Sequence, residues 1–571
     1  MGKIDRKQFI SKIVSTQIGE NRPIKNEDIV YNKYANKTLP KSYKTTAWLS
    51  QYSGEWTEVQ IRHLLRRTMF GVKDVDLQTL LGMNMSNSVD LLLNNNPPLP
   101  DPPVNNYSPD GTLDITGVAA GQTWVNAPVG DGTLNDYRRY SYKAWWIGQM
   151  LNQNLSIMEK MVFFWHNHFA TQTYVVGDAR LSYNHNLLLR ANALGNFKTF
   201  VKQVTKDPAM LMYLNGSQNT KNSPDENYGR ELQELFTVSK YNATNYTEDD
   251  VKAASKVLTG WRVNNTTLQS FFTPSIHDVS NKQFSAFYNN TLINGQSGAN
   301  GANETDSLID MIFTKAETAH YICTKMYRFF VYYNIDADID ANVITPLARL
   351  LINSNFEIKP VLQCLFKSDH FYSAISMGCY IKTPLDLLIG TFRTFNISIP
   401  TGLSAHSLYS IWNFVAVYGV KMGLDLGDPP NVAGWMPFYE SPAYYEIWIN
   451  SNTYPVRLEF TDLICGTGYS PVTGITIAID IVGFTQLYPN AQDPDMLVDY
   501  FTTLLLGINI SATEHDNLKG ILLSGQTTNS YWTVAWTNYL FNPDAENTAI
   551  ISSRLNSLIN TLLRLPEYQL C

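Results

Sequence analysis

One stretch limits the fold more than any other: Glu159 to Thr171, EKMVFFWHNHFAT. Met161, Val162, Phe163, Phe164 and Trp165 follow one another without a polar break. An element that is apolar on every side belongs inside a packed interior. His166 and His168 then stand in that interior, in a chain with only nine histidines. A histidine taken out of water without a partner costs free energy, so the pair needs a shared reason. A metal, a carboxylate network or a hydrogen-bonded core would each supply one. Ser156 and Glu159 have capping-box spacing, which predicts a helix from about Ile157 to between His166 and Phe169. On a continuous helix, positions i and i+2 point about 200° apart. The expectation is that the helix ends or distorts so that both rings face one centre.

Elsewhere apolar residues recur at helical spacing. Helices are expected within 47–93 and over 135–152, 184–194, 197–205, 224–238, 247–261, 307–333, 343–353, 359–366, 383–395, 403–422 and 549–565. Five prolines between Pro97 and Pro103 force an extended segment, and loop composition continues to Thr133. Alternating aromatics over 262–304 read as strand and loop. The fold class is therefore mainly α, a multi-helical globular fold with long irregular loops and a few short strands. Three regions are expected: an N-terminal arm (1–45), a main helical domain (46–455) and a C-terminal helical part packed on it (456–571).

No apolar run approaches the roughly 20 residues of a membrane helix, and the N-terminus has basic residues but no apolar core of a secretory signal. The net charge is −7 and no long Lys/Arg run occurs, which disfavours nucleic acid or an anionic membrane as partner. Charged residues make up 16% against about 25% in an average soluble domain. Asn, Thr, Ser and Tyr fill the difference, a lean towards extracytoplasmic proteins. The five cysteines form no CxxC and read as small buried hydrophobes.

The chemistry concentrates in a few motifs. In PDENYGRELQELF, the residues Glu226, Asn227, Arg230, Glu231 and Glu234 share a stripe about 140° wide, opposite Tyr228, Leu232, Leu235 and Phe236. The stripe is either a solvated face with i, i+4 ion pairs or the carboxylate wall of a site. Carboxylates with imidazoles suit Zn, Mn or Fe. His277-Asp278 can orient an imidazole or bind a cation. Gly295 to Gly301 has the spacing of a dinucleotide fingerprint but follows no convincing strand, so it reads as a flexible loop. GDPPNVAGW, Gly427 to Trp435, is a rigid loop: a tight turn with Trp435 plugging a core, or a lining of the same pocket. GxSxG, Walker A and HExxH signatures are absent.

In order along the chain stand LLRRTMFG (64–71), EKMVFFWHNHFAT, LGNFKTF (194–200), KDPAMLMYLNG (206–216), PDENYGRELQELFT, YTEDDVKAASKVLTGW (246–261), His277-Asp278, IKTPLDLL (381–388), PPNVAGW (429–435) and LPEYQL (565–570). This set resembles domain-of-unknown-function family 1800, a bacterial family, over roughly 60–570. The region after PPNVAGW resembles its Bacteroidetes-type branch. The resemblance implies that the histidine pair, the Glu-rich helix and His277-Asp278 belong to one pattern. It also implies a periplasmic or cell-surface setting and a sulfatase-like or alkaline-phosphatase-like partner, though no clear signal peptide is present.

Two functions are expected. The first is a metal-dependent enzyme, most simply a hydrolase, with redox chemistry as its rival. His166, His168, Glu234, His277 and Asp278 would hold a divalent ion (Zn, Mn or Fe), with Glu231 as base and Arg230 neutralising a substrate oxygen. The second is a non-catalytic binding or assembly subunit, in which the His/Glu cluster is a structural polar network.

Overall fold

Helix starts follow local chemistry. Thr247 and Asp250 close a capping box on the Glu248–Val257 helix, and Thr383 with Asp386 closes another on Pro384–Thr394, where Pro384 occupies the first turn as expected. Asp131 and Asp178 accept backbone N–H groups at the starts of Gly132–Leu151 and Ala179–Asn192. Ser156 and Glu159 do not close the box anticipated for them. Ser156 Oγ donates instead to Asn95 O at 2.6 Å, Glu159 pairs with Arg190, and the helix runs Met158–His168. A buried guanidinium competes better for the carboxylate than a backbone N–H does.

This computed structural model describes residues 45–240, 246–435 and 446–571. The expected N-terminal arm lies, but for Thr45, outside the described residues. Among the described residues the fold is mainly α, and strands occur only as antiparallel two-stranded ribbons. Two of these, Trp261–Asn264 with Gln269–Phe272 and Lys282–Gln283 with Leu292–Ile293, fall in the anticipated strand-and-loop region. The helix opened by Thr247 stops at Val257 rather than near Trp261.

From residue 47 onward the elements form one body around a continuous apolar core reaching from Ile61 to Tyr568. Partly buried cations tie distant segments by capping carbonyls. Arg66, from the Glu58–Thr68 helix, donates to Leu504 O at 2.8 Å and Leu506 O at 3.2 Å, at the end of Pro494–Leu505. Tyr380 and Cys571 exchange backbone hydrogen bonds of 3.2 and 2.8 Å.

The glycine run at 295–301 is not a loose loop. It passes through a short 3-10 turn, Gly298–Ala302, into the Asn303–Ile312 helix. A Cβ on Gly301 would stand 2.6 Å from His277 Cδ2, so a bare backbone there is what lets His277 pack.

Candidate functional site

The Met158–His168 helix ends where expected but does not distort. It stays regular to His168, with Phe169 as its C-cap. The histidines therefore face different walls, which corrects the expectation of one shared centre. The His166 ring stands 5.1 Å from that of Trp146 and 5.7 Å from that of Trp435. Its Nε2 is buried with no hydrogen-bond partner among the described residues. Burial, with the His185 charge, pushes its pKa down to about 3, against the pull of Asp428. His168 turns to the other side, where its Nε2 donates to Phe236 O at 3.2 Å among Phe164, Phe169 and Phe197. Burial and the Lys325 charge hold it well below the ordinary range.

The remaining expected ligands have partners of their own. His277 Nδ1 faces Thr259 O at 2.8 Å and Nε2 faces Glu304 Oε1 at 3.1 Å. Thr259 engages one ring nitrogen, also through its hydroxyl at 3.0 Å, and Glu304 the other, so neither is left for a metal. Glu304, fully buried, also receives Lys282 Nζ at 2.5 Å and the Gln296 N–H at 2.6 Å. Asp278 caps its own loop through the Ser280 N–H at 2.8 Å. Glu234 receives the Tyr246 hydroxyl at 3.3 Å and Lys240 at 3.4 Å. Among the described residues, no group of three or more His, Cys, Asp or Glu side chains is placed to hold a metal ion. His166, His168, Glu234, His277 and Asp278 do not fit the role as a set. Arg230 is engaged as well, bonded to both Glu248 oxygens at 2.9 and 2.7 Å and to Glu226 at 3.2 Å.

Glu231 is different. The helix expected over 224–238 is α only from Glu226 to Glu231 and then widens into a π turn, Leu232–Phe236. Such turns occur often at functional sites. Gln233 anchors this one from inside, donating to Gly229 O at 2.8 Å and accepting from the Tyr288 hydroxyl at 2.9 Å. At the junction Glu231 is half-buried. Burial and the neighbouring Glu234 charge push its carboxyl up to about 7.

The second carboxylate comes from the GDPPNVAGW loop. Asp428 is approached by Lys143 Nζ at 2.6 Å, the Thr173 hydroxyl at 2.8 Å, the Tyr174 N–H at 3.1 Å and Arg139 at 3.4 Å. Burial alone would raise its pKa, but Lys143 and these hydrogen bonds bring it below the ordinary carboxylate value. The loop is clamped to the histidine helix, since the Trp435 N–H donates to Asn167 Oδ1 at 2.8 Å. Gln172 reaches Pro429 O at 2.6 Å. Trp435 is buried in the core, as one of the two readings of this loop expected.

Tyr213 stands within electrostatic reach of both carboxylates. It ends the Pro208–Tyr213 helix, which packs on the short Thr173–Val176 helix that holds Asp428. Burial, then the charges of Asp428 and Glu231, raise its hydroxyl to about 12. One phenol thus senses both acids. Sequence reasoning singled out Glu231 but missed Tyr213, Asp428 and Lys143. Tyr213 and Asp428 were in view, within or beside the KDPAMLMYLNG and PPNVAGW motifs, whereas Lys143 carries no local signal.

None of the curated proteins and none of the solved structures matches this chain. The sequence pattern of the family described as "Protein of unknown function (DUF1800)" matches residues 63–570, and the chain belongs to that family.

Proposed function

We propose that the protein is a hydrolytic enzyme whose acid–base pair is Glu231 and Asp428, acting beside Tyr213. The observation that carries this reading is that one phenol feels two carboxylates whose surroundings push their protonation in opposite directions. Two acids split in this way divide the roles of proton donor and proton acceptor. Glu231, keeping a proton close to neutrality, gives it to the leaving oxygen of an ester or polymer bond. Asp428, ionised, takes a proton from the attacking water. The two transfers balance, with one proton in and one out. Tyr213 donates a hydrogen bond to the oxygen that gains charge, and Lys143 positions Asp428. The two proton transfers are assigned to these side chains alone.

The test is a panel of chromogenic esters, glycosides and phosphate esters against the full chain and its Glu231→Gln and Asp428→Asn variants. Each variant is expected to lose about 10²–10⁴-fold in kcat/KM, Glu231→Gln while keeping its thermal unfolding profile. Retention of full activity by Glu231→Gln contradicts the reading.

A periplasmic or cell-surface setting and a sulfatase-like or alkaline-phosphatase-like partner belong to the same proposal. They rest on the family resemblance and the Asn/Tyr-rich composition, and co-purification from the native host tests them. A second reading, a non-catalytic assembly subunit, draws support from the saturated His277–Glu304–Lys282 network, which has the character of a structural device.

A further inference from the structure

Next to Asp428 the protein presents an aromatic ring that its own fold leaves uncovered. Tyr174 is 75% exposed, although its backbone N–H is held by Asp428 Oδ1 at 3.1 Å. The Arg139 guanidinium lies over the ring, 5.2 Å from its centroid. Arg139 is fixed in turn. Its Nε donates to the Thr173 hydroxyl at 3.0 Å, and its terminal nitrogens reach Asp136 at 2.7 Å and Asp428 at 3.4 Å. A guanidinium held at these points backs one face of the phenol, and with the ring so exposed the opposite face meets solvent. The local charge is acidic. Asp136, Asp425 and Asp428 outnumber Arg139 and Lys143, the two cations they pair with. Asp136 and Asp425 use only Oδ1 in these pairs, and among the described residues neither Oδ2 has a further partner.

These features select a guest by its chemistry. An open aromatic face takes an apolar surface. Spare carboxylate oxygens accept hydrogen bonds and donate none, so the guest carries hydroxyl or N–H groups. The excess negative charge repels phosphate, sulfate and other anions. A neutral sugar ring meets all three conditions, with C–H groups on one face and hydroxyls round its rim. A planar aromatic hydrocarbon meets the first but has no hydrogen to donate. We propose that the site takes a neutral glycan, with one sugar stacked on the solvent face of Tyr174 and its hydroxyls directed at Asp136 and Asp425. What becomes of the glycan rests on the Glu231–Asp428 reading. Under it, water adds across a glycosidic bond. The leaving oxygen receives its proton from Glu231, the anomeric carbon receives the hydroxyl, and Asp428 receives the proton that water gives up.

Isothermal titration of the full chain carrying Glu231→Gln measures binding without turnover. The probes are the linear hexaoses of β-linked glucose, α-linked glucose, xylose, mannose and N-acetylglucosamine. At least one is expected to bind with a Kd of about 1 mM or tighter. Adding Tyr174→Ala should weaken that binding about tenfold or more, whereas Tyr174→Phe, which keeps the ring, should stay within about twofold. Both substitutions keep the backbone N–H that Asp428 holds. A sulfated hexasaccharide derived from heparin should bind about tenfold more weakly than the best hexaose, or worse. Absence of binding by every hexaose overturns the proposal. So does binding indifferent to Tyr174→Ala, or a preference for the sulfated sugar. Binding that needs Tyr174, with no cleavage of the same hexaose by the unsubstituted chain, upholds the glycan site and contradicts the Glu231–Asp428 reading instead. Ester cleavage that Glu231→Gln abolishes, with no hexaose bound, does the reverse.

Discussion

Gly434 shows how tightly the candidate site is built. Its φ is +87°, and a Cβ there would fall on both Oδ1 and the backbone oxygen of Asn167. Gly434→Ala therefore meets backbone strain and a clash together, and should destabilise the fold by about 2 kcal/mol or more, read from the urea midpoint. A change under about 0.5 kcal/mol would mean that the PPNVAGW loop is not clamped to the histidine helix. Single residues were readable in the sequence where their surroundings were local. Glu231 has a like charge three positions on, and that spacing can be counted. The partners of Asp428 come from residues 139, 143, 173 and 174, and no spacing rule connects these to position 428.

One widened turn and one buried ion network carry most of what the sequence did not disclose about the elements. A helical wheel assumes about 3.6 residues per turn. The π turn at Leu232–Phe236 breaks that count and, with it, the single stripe expected from Glu226 to Glu234. Phe236 O is the carbonyl that His168 reaches, so the histidine helix and the Glu-rich helix do meet, through backbone rather than through carboxylates. The His277–Glu304 contact spans the 295–301 run and depends on the bare backbone of Gly301. Glu304→Gln removes the nearer counter-charge of buried Lys282 and leaves it Asp278 at 3.9 Å, and the expected loss is about 3 kcal/mol in chemical unfolding. A loss below about 1 kcal/mol would place that network in a far wetter environment than its burial implies.

From residue 47 onward the described residues share one core with neutral histidines sealed inside it. Burial pushes His63 and His166 down to about 3 and His168 well below its ordinary value. Each is uncharged in the fold but binds a proton near its usual pKa once unfolded, so stability is complete above that value and is lost as pH falls. Near pH 5 three extra protons on the unfolded chain give a slope of about 4 kcal/mol per pH unit. Glu231 offsets part of it, because its raised carboxyl costs stability only as pH rises from about 4.5 to about 7. Urea midpoints measured from pH 7 to pH 4.5 should fall steeply, and a flat profile would deny the burial. The α-rich architecture was clear from periodicity, and capping residues placed several helix starts. The domain-wide ties were not clear, because a guanidinium such as Arg66 meets carbonyls more than 400 positions away. The acid–base reading turns on one proton, and carbon-13 NMR of the Glu231 carboxyl observes it. The account predicts titration near pH 7 in the native chain, and a lower midpoint in Glu234→Gln, where the neighbouring charge is gone. A Glu231 midpoint near 4.5 in both proteins would contradict it.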